Sequence, residues 1–469
     1  PKRPSMHSAT RSFPTTRESG SWQKSKRKFL SIEPMLDNNK NTRSVQPADR
    51  LRGTIHLPAD KSIAQRSALF AGIAEGTSRI EGYPSSADPQ SALACLRQLG
   101  IRIEMEEDVL VVHGKGIRGF SSPSEPIDCG NSGTTLRLLS GLLAGQNFQS
   151  TLIGDESLSS RPMGRILDPL RQMNARVDSV EGHAPLTVGP ASGPLSAIEY
   201  TLPVASAQVK SCVLLAGLYA DSVTTVVETL PSRDHTERML GLDTEIKQGK
   251  RLVHIRGGMR VEPRNWTIPS DFSAAAFFIV AACITPDSVL KMPNVGLNST
   301  RTGLLEVLRA MGARIEIENR RDVSSEPIGD ITVYASRLAG VTVTKDIIPT
   351  LIDEIPILCV AAIQATGRTE IRDAGELRHK ETDRIDAMVK GLRALGAKVE
   401  EFEDGLAIEG PQQLHGGHVS AFDDHRIAMS MAIAALSASG PVHLSGADSV
   451  AVSFPEFFRT LDSIRLTPN

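Results

Sequence analysis

Six stretches of the chain repeat one pattern, a polar residue followed by a run of small and apolar residues with almost no polar face. The polar residues are Asp60, Asn131, Ser206, Asp271, Asp353 and Asp424, spaced 71, 75, 65, 82 and 71 residues apart. Side-chain oxygens of Asp, Asn and Ser accept the unpaired N–H groups of a helix's first turn, so each position reads as a helix start. A helix that is apolar on nearly all sides is predicted to be buried. A short strand-like run follows, as in TSRIEG (77–82), VTTVVE (223–228) and GPVHLSG (440–446). Next comes an amphipathic helix whose ending also recurs: LRQLG at 96–100, LRQMN at 170–174, LRAMG at 308–312 and LRALG at 392–396. Gly or Asn in that place fits a left-handed residue closing a surface helix. Alternating residues around Asp404-Gly405 then predict a hairpin. In the copies that begin at Ser206 and Asp424 the second helix is shorter.

The repeat predicts an α/β protein of six related units in two groups of three, each group burying its apolar helices under sheets. A solenoid that merely presents a surface is the competing reading. Against it, the apolar parts of the units repeat while the polar residues at the helix starts differ from copy to copy, as expected of specialisation at one end of a shared frame.

Composition narrows the classes. The 469 residues leave room for more than one core. A hydrophobic share of 40% with 23% charged residues is ordinary for a globular protein. A net charge of −2 offers no whole-chain field for nucleic acid or an anionic membrane. The longest apolar run, residues 274–284, is too short to span a bilayer. Five cysteines without a CxxC or a Cys/His cluster predict neither a disulfide framework nor structural zinc, and fit a reducing compartment. Cys95, Cys212, Cys283 and Cys359 fall inside apolar helical stretches, and Cys129 precedes a Gly-rich turn. The first 46 residues hold ten Lys/Arg, three acids and twelve Ser/Thr, a net +7 that leaves −9 for the rest. Residues 1–45 are expected to be a disordered extension, or translated sequence ahead of a start at Met35. An organelle transit peptide is the alternative, and a cytoplasmic location is otherwise expected.

Cations gather at the helix starts: Lys61 and Arg66, Arg137, Lys210 and Arg426. Second helices and their entry loops add Arg161, Arg165, Arg233, Lys380 and Arg384. Free N–H groups at helix N-termini favour anions by about 0.3–1 kcal/mol each, and Arg adds a planar fork for phosphate or carboxylate. Any single Arg reads as a solvated surface residue, but the set, placed at equivalent ends of the repeats, points to a site for two anions. In Asp60-Lys61-Ser62-x-x-x-Arg66 the first two helical turns can hold a phosphate and a hydroxyl together. In Gly130-Asn131-Ser132-Gly133 the glycines allow a ligand close to the backbone. Lys380 and Arg384 are predicted to share a helix face with Glu381 at its edge. So many cations facing one space should repel until an anion arrives, which predicts closure on the first substrate.

The strings DKSIAQRS, GNSGTTLR, SSRPMGR, SAQVKS, SRDHTERM, LIDEIPIL, LRHKETDR and DDHRIAMS, in that order between Arg52 and Ile464, resemble the 5-enolpyruvylshikimate-3-phosphate synthase family of enolpyruvyl transferases. The resemblance implies two inverse α/β domains of three βαβαββ units each, joined by two crossover strands near Pro58–Asp60 and Ile268–Asp271. The implied domains are 46–58 with 270–469, and 59–269. It implies transfer of the enolpyruvyl group of phosphoenolpyruvate to the 5-hydroxyl of shikimate 3-phosphate, without a cofactor or metal, by a monomer. By resemblance, Lys61, Ser62, Arg66, Ser206, Gln208, Asp353 and Lys380 hold shikimate 3-phosphate. Lys61, Gly133, Arg161, Gln208, Arg384 and Arg426 hold phosphoenolpyruvate. Arg233 and Glu376 resemble shikimate-side positions of one branch, and Asn131 and Ala207 complete the expected binding set. Asp353 is the implied base and Glu381 the implied acid, the latter as a shielded carboxyl able to keep a proton, with Lys61 assisting.

The chain departs from better-known members where Val452 replaces a Lys before Ser453-Phe454-Pro455, so phosphoenolpyruvate is expected to meet one cation fewer. Leu138 replaces a Pro, and Ala207 a Ser of some members. The nearest rival is UDP-N-acetylglucosamine enolpyruvyl transferase, whose loop Cys has no counterpart in residues 154–162. The rival from another class is a non-catalytic metabolite-binding repeat protein, which predicts gaps among Lys61, Arg161, Asp353, Glu381 and Arg384. All five are present.

Overall fold

The computed structural model describes residues 41–465, which form one compact unit. Most of the expected N-terminal extension lies outside these residues. Its predicted end does not hold: Thr42–Val45 is a strand, paired antiparallel with Val442–Ser445. The folded body therefore begins before Val45.

Six apolar helices occupy the predicted places: Lys61–Ile73, Gly133–Leu143, Ala207–Gly217, Phe272–Ile284, Ile355–Gln364 and His425–Ala434. Four start on the predicted caps. Asp60 accepts from the N–H of Ile63 at 2.9 Å, Ser206 from Val209 at 3.4 Å, Asp271 from Ser273 at 2.7 Å and Asp424 from Arg426 at 2.8 Å. Two starts differ. Ser132, not Asn131, caps the second helix, accepting from Thr135 at 3.1 Å. Asp353 lies in a 3₁₀ turn, Ile352–Glu354, ahead of the fifth helix, and so its carboxylate is free for other partners. Surface helices end on left-handed residues as predicted, at Gly100, Asn174, Gly312 and Gly396. In the Ser206 copy the second helix is short, His235–Leu240.

Five sheets share one topology. The strand after each buried helix pairs parallel with a strand on one side and antiparallel with a hairpin on the other. Ser150–Ile153, for example, lies between Ile127–Asp128 and His183–Val188, with Val177–Val180 outermost. Read along the chain this is a βαβαββ unit. In the sixth sheet Thr42–Val45 takes the hairpin's place and leaves three strands. The parallel partner of the first sheet is Asn265–Thr267 and that of the fourth is Arg52–Thr54, so each set of three units closes on itself.

Buried apolar residues fall into two clusters, one from 45–55 and 272–464, the other from 63–268. Each buried Leu, Ile, Val or Phe contributes about 1.5–3 kcal/mol of transfer energy, offset largely by chain entropy. Packing is close: a Cβ at Gly141 would lie 2.3 Å from the Cys212 carbonyl oxygen, so Gly141→Ala would force two buried helices apart. The chain passes between the clusters at 58–60 and 268–271. There Asp60 N–H donates to the Pro269 carbonyl at 2.7 Å and Asp271 N–H to that of Pro58 at 2.9 Å. All five cysteines are buried free thiols. Among the described residues no helix is long and apolar enough to cross a membrane.

Candidate active site

The two halves meet where the buried helices begin. At the centre is Asp353, freed by the irregular start of the fifth helix. One carboxylate oxygen, Oδ1, lies 3.2 Å from both Lys380 Nζ and Arg384 Nη1. The other accepts a short bond from Arg233 and lies 3.8 Å from Arg426 Nη2. Arg426 also donates to the Asp353 carbonyl at 2.9 Å. Burial pushes this carboxyl up, but Lys380, Arg233, Arg426 and Arg384 together hold it well below the usual carboxylate range.

Arg384 joins Asp353 to the second carboxylate. Its side chain is 1% exposed and faces three acids: Asp424 at 2.7 Å, Glu381 at 2.6 Å and Asp353. Glu381 Oε1 lies 3.7 Å from Arg161 Nη1. The shielding expected around Glu381 is absent. Burial again pushes the group up, but Arg384 and Arg161, with Lys61 beyond them, hold it well below its usual range. Both carboxyls are ionised in this arrangement. The predicted helix face shared by Lys380 and Arg384 is also absent. The helix begins at Arg384 after the cap Asp383, and Lys380 is extended backbone, yet the two still converge on Asp353.

Lys61 lies in the first turn of its helix, where its Nζ donates to Asp88 Oδ2 at 2.8 Å and its backbone N–H to Asp271 Oδ2 at 3.1 Å. On the Gly-rich turn, Asn131 accepts from Arg161 at 2.9 Å and donates to Asp155 at 2.8 Å. A Cβ at Gly133 would sit 2.7 Å from Arg137 Nη1 and 3.4 Å from Arg161 Nη1, so the Arg137 guanidinium would have to shift. Arg137 donates to Gln208 at 2.6 Å, and Gln208 to Thr134 at 3.0 Å, beside the start marked by Ser206 and Ala207. Burial, with Arg161 and Arg165 nearby, lowers the Arg137 guanidinium to about 10, as expected where like charges share a confined space. Arg165 makes a two-pronged pair with Glu376 at 2.6 and 2.9 Å.

Ser62 and Arg66 are less open. The Ser62 carbonyl accepts from Arg66 at 3.1 Å, and Arg66 turns inward to Thr236 at 2.9 Å and Ser211 at 3.1 Å. Burial lowers its guanidinium to about 10. Lys210, counted among the cations from sequence, is fully buried away from this group between Glu228 at 3.0 Å and Glu237 at 2.7 Å.

The expectation of mutual repulsion is also corrected. Arg161, Arg165 and Arg233, all from 59–269, pair with Glu381, Glu376 and Asp353 of the other half. Opposite charges, not like ones, face each other across the halves. Three further residues went unrecognised in the sequence: Asp88 beside Lys61, Arg301 between Asp60 and Asp271, and His425. Burial and the nearby Lys61 keep His425 well below its usual value, and hence neutral. Among the described residues no group of three or more His, Cys, Asp or Glu is placed to hold a metal ion.

A family model described as EPSP synthase (3-phosphoshikimate 1-carboxyvinyltransferase) matches residues 45–461. The chain belongs to the EPSP synthase family. A curated 3-phosphoshikimate 1-carboxyvinyltransferase of Salinibacter ruber is 55% identical, covering 90% of this chain and 99% of the relative. One from Bacillus cytotoxicus is 47% identical, covering 88% and 98%. A solved EPSP synthase of Acinetobacter baumannii superposes with a TM-score of 0.80 at 41% identity, covering 91% of this chain and 99% of that one. The enolpyruvyl transferase NikO of Streptomyces tendae shares the fold, with a TM-score of 0.72 at 19% identity over 90% of this chain and 97% of that one. The mixed α/β fold read from the six repeats is thus the fold of EPSP synthases.

Proposed function

We propose that this enzyme of the EPSP synthase family transfers the enolpyruvyl group of phosphoenolpyruvate to the 5-hydroxyl of shikimate 3-phosphate, between the halves and around Asp353. The observation that carries the reading is the convergence of Arg233, Lys380, Arg384 and Arg426 on Asp353, with Glu381 bonded to the same Arg384. Both substrates are phosphorylated carboxylates and match this concentration of cations. Shikimate 3-phosphate is assigned to Lys61, Ser62, Ser206, Gln208, Asp353 and Lys380, with Arg233 and Glu376 at its edge and Arg66 supporting from behind. Phosphoenolpyruvate is assigned to Lys61, Gly133, Arg161, Gln208, Arg384 and Arg426. Asn131 holds Arg161 in place.

In the proposed chemistry Asp353 takes the proton of the 5-hydroxyl as its oxygen bonds to C2 of phosphoenolpyruvate. Glu381 delivers a proton to the methylene carbon, giving a tetrahedral ketal. Cleavage of the C2–O bond to phosphate, with a methyl proton returned to Glu381 and the proton on Asp353 leaving with the phosphate, forms the enol ether product and restores both carboxyls. Glu381 must first acquire its proton. A bound phosphoenolpyruvate draws Arg161 and Arg384 toward its own charges, weakens their hold on Glu381 and raises its pKa. Asp353, still facing Lys380 and Arg233, stays ionised. Two neighbouring carboxyls are thereby pushed apart in proton affinity, as acid–base pairs require.

We read the two cores as two domains, 42–58 with 270–465 and 59–269, in a monomer acting in the cytoplasm. Product identification tests the function. Incubation with both substrates should yield 5-enolpyruvylshikimate 3-phosphate by mass spectrometry. A product from UDP-N-acetylglucosamine with none from shikimate 3-phosphate would replace this reading by the rival transferase.

A further inference from the structure

Arg301 stands on the turn after strand Val289–Gly296 and is 3% exposed. Its guanidinium donates to Asp60 Oδ2 at 2.9 Å, to Ser273 Oγ at 2.6 Å and to Asp271 Oδ1 at 3.4 Å. Asp60 caps the first buried helix of one half, while Asp271 and Ser273 open the first buried helix of the other. A single side chain thus holds both helix heads, at the place where the chain crosses between the halves.

Two arms lead from it into the site. Along the first, the other Asp271 oxygen accepts the backbone N–H of Lys61 at 3.1 Å. Along the second, Ser273 donates to Glu354 at 2.5 Å, and Glu354 pairs with Arg426 at 3.2 Å. The same turn touches the opposite half again, where Asn298 donates to Asp234 at 2.7 Å, next to Arg233. Exposed ion pairs contribute little, but here Arg301, Asp60 and Asp271 are all buried, and removing one partner leaves charge uncompensated.

We propose that Arg301 is a positioning residue for the reaction: through Asp271 and Ser273 it fixes where Lys61 and Arg426 stand relative to one another, and it touches neither substrate. The proposal rests on the placement of both substrates between those residues. Without Arg301, Asp60 and Asp271 lose their shared cation, and Arg426 with the N–H groups of Lys61 and Ser273 is left to favour the Asp271 charge. Burial already pushes its carboxyl up; Arg301 is the main influence bringing it below the usual range. Its loss raises that pKa. A protonated Asp271 accepts these two N–H bonds more weakly, because its charge is gone and its hydroxyl oxygen is the poorer acceptor, so activity disappears earlier as pH falls.

The test compares full-length wild type with Arg301→Gln and Arg301→Lys, using phosphate release across pH and calorimetric titration to count competent sites. Arg301→Gln should lower kcat per competent site by about 10–100-fold, the scale of a lost orientation. It should also move the acid limb of the profile upward by about one pH unit or more. Arg301→Lys keeps the charge but cannot fork to three acceptors, so its kcat should be intermediate and its acid limb close to wild type. Fewer folded molecules alone would scale the profile without moving it. The proposal is overturned by a per-site kcat within about threefold of wild type, or by an unmoved acid limb in Arg301→Gln. Should Arg301→Gln not fold, Arg301→Lys decides: a folded variant with kcat lowered about fivefold or more supports the proposal, and wild-type kcat refutes it. An inactive wild type would instead refute the functional reading.

Discussion

Replacing Asp353 by Asn keeps the shape of the side chain and removes its charge and its basicity. A positioned base contributes about 10²–10⁴ in rate, or about 3–5 kcal/mol of barrier. Turnover of Asp353→Asn should fall by at least about 100-fold on this reasoning. Substrate binding should move the other way, because four cations surround this carboxylate within 3.8 Å. Removing one negative charge about 5 Å from a bound anion is worth about 1–3 kcal/mol in favour of the anion, at an effective dielectric of 80–20. The hydrogen bond lost to the substrate hydroxyl costs about 0.5–1.5 kcal/mol. The two nearly cancel, so the Kd of shikimate 3-phosphate should be equal to wild type or tighter. Phosphate release gives kcat, and calorimetric titration at about 0.1 M salt, where screening is moderate, gives Kd. A kcat within about tenfold of wild type would refute Asp353 as the base. Binding weakened by more than about tenfold would make it a substrate holder instead.

Glu381→Gln should lose about 10²–10⁴ in kcat, and any residual activity should lack the alkaline limb of the wild-type profile, because the amide has no proton to lose; a retained limb assigns the acid elsewhere. Asp353 and Glu381 both have depressed pKa values in the folded protein, so their stabilising contribution is present above the unfolded carboxyl values and is lost as pH falls below about 4.5. Thermal unfolding should show Tm dropping steeply in that acid range for wild type and less steeply for Asp353→Asn. Lys210→Met should lower stability by about 3–5 kcal/mol, since Glu228 and Glu237 lose their buried partner. Turnover per folded Lys210→Met molecule should match wild type; a selective loss of turnover would return Lys210 to the site.

What the sequence made legible was local. A cap followed by an apolar run marks a buried helix because both signals act within one or two turns, and four of six caps are the predicted residues. Asp353 departed because it lies in a 3₁₀ turn ahead of its helix, which leaves its carboxylate to four cations distant in sequence. Lys210 looked like the other cations because its partners, Glu228 and Glu237, lie 18 and 27 residues away. Arg301 carried no signal at all, since Asp60 is 241 residues distant. The ionisation of Glu381 rests on Arg384, three residues along, and then on Arg161, which reaches it from the other half. Sheet closure by Arg52–Thr54 and Asn265–Thr267 was equally invisible, because strand pairing across hundreds of residues leaves no periodic trace.

On the proposed reading, the cations around Asp353 bring shikimate 3-phosphate and phosphoenolpyruvate together for enolpyruvyl transfer. A coupled phosphate-release assay on the full-length chain tests it most directly. Release should require both substrates, stop when either is omitted, and match the 5-enolpyruvylshikimate 3-phosphate formed one for one. Release from phosphoenolpyruvate alone, or none with both substrates present, would contradict the account.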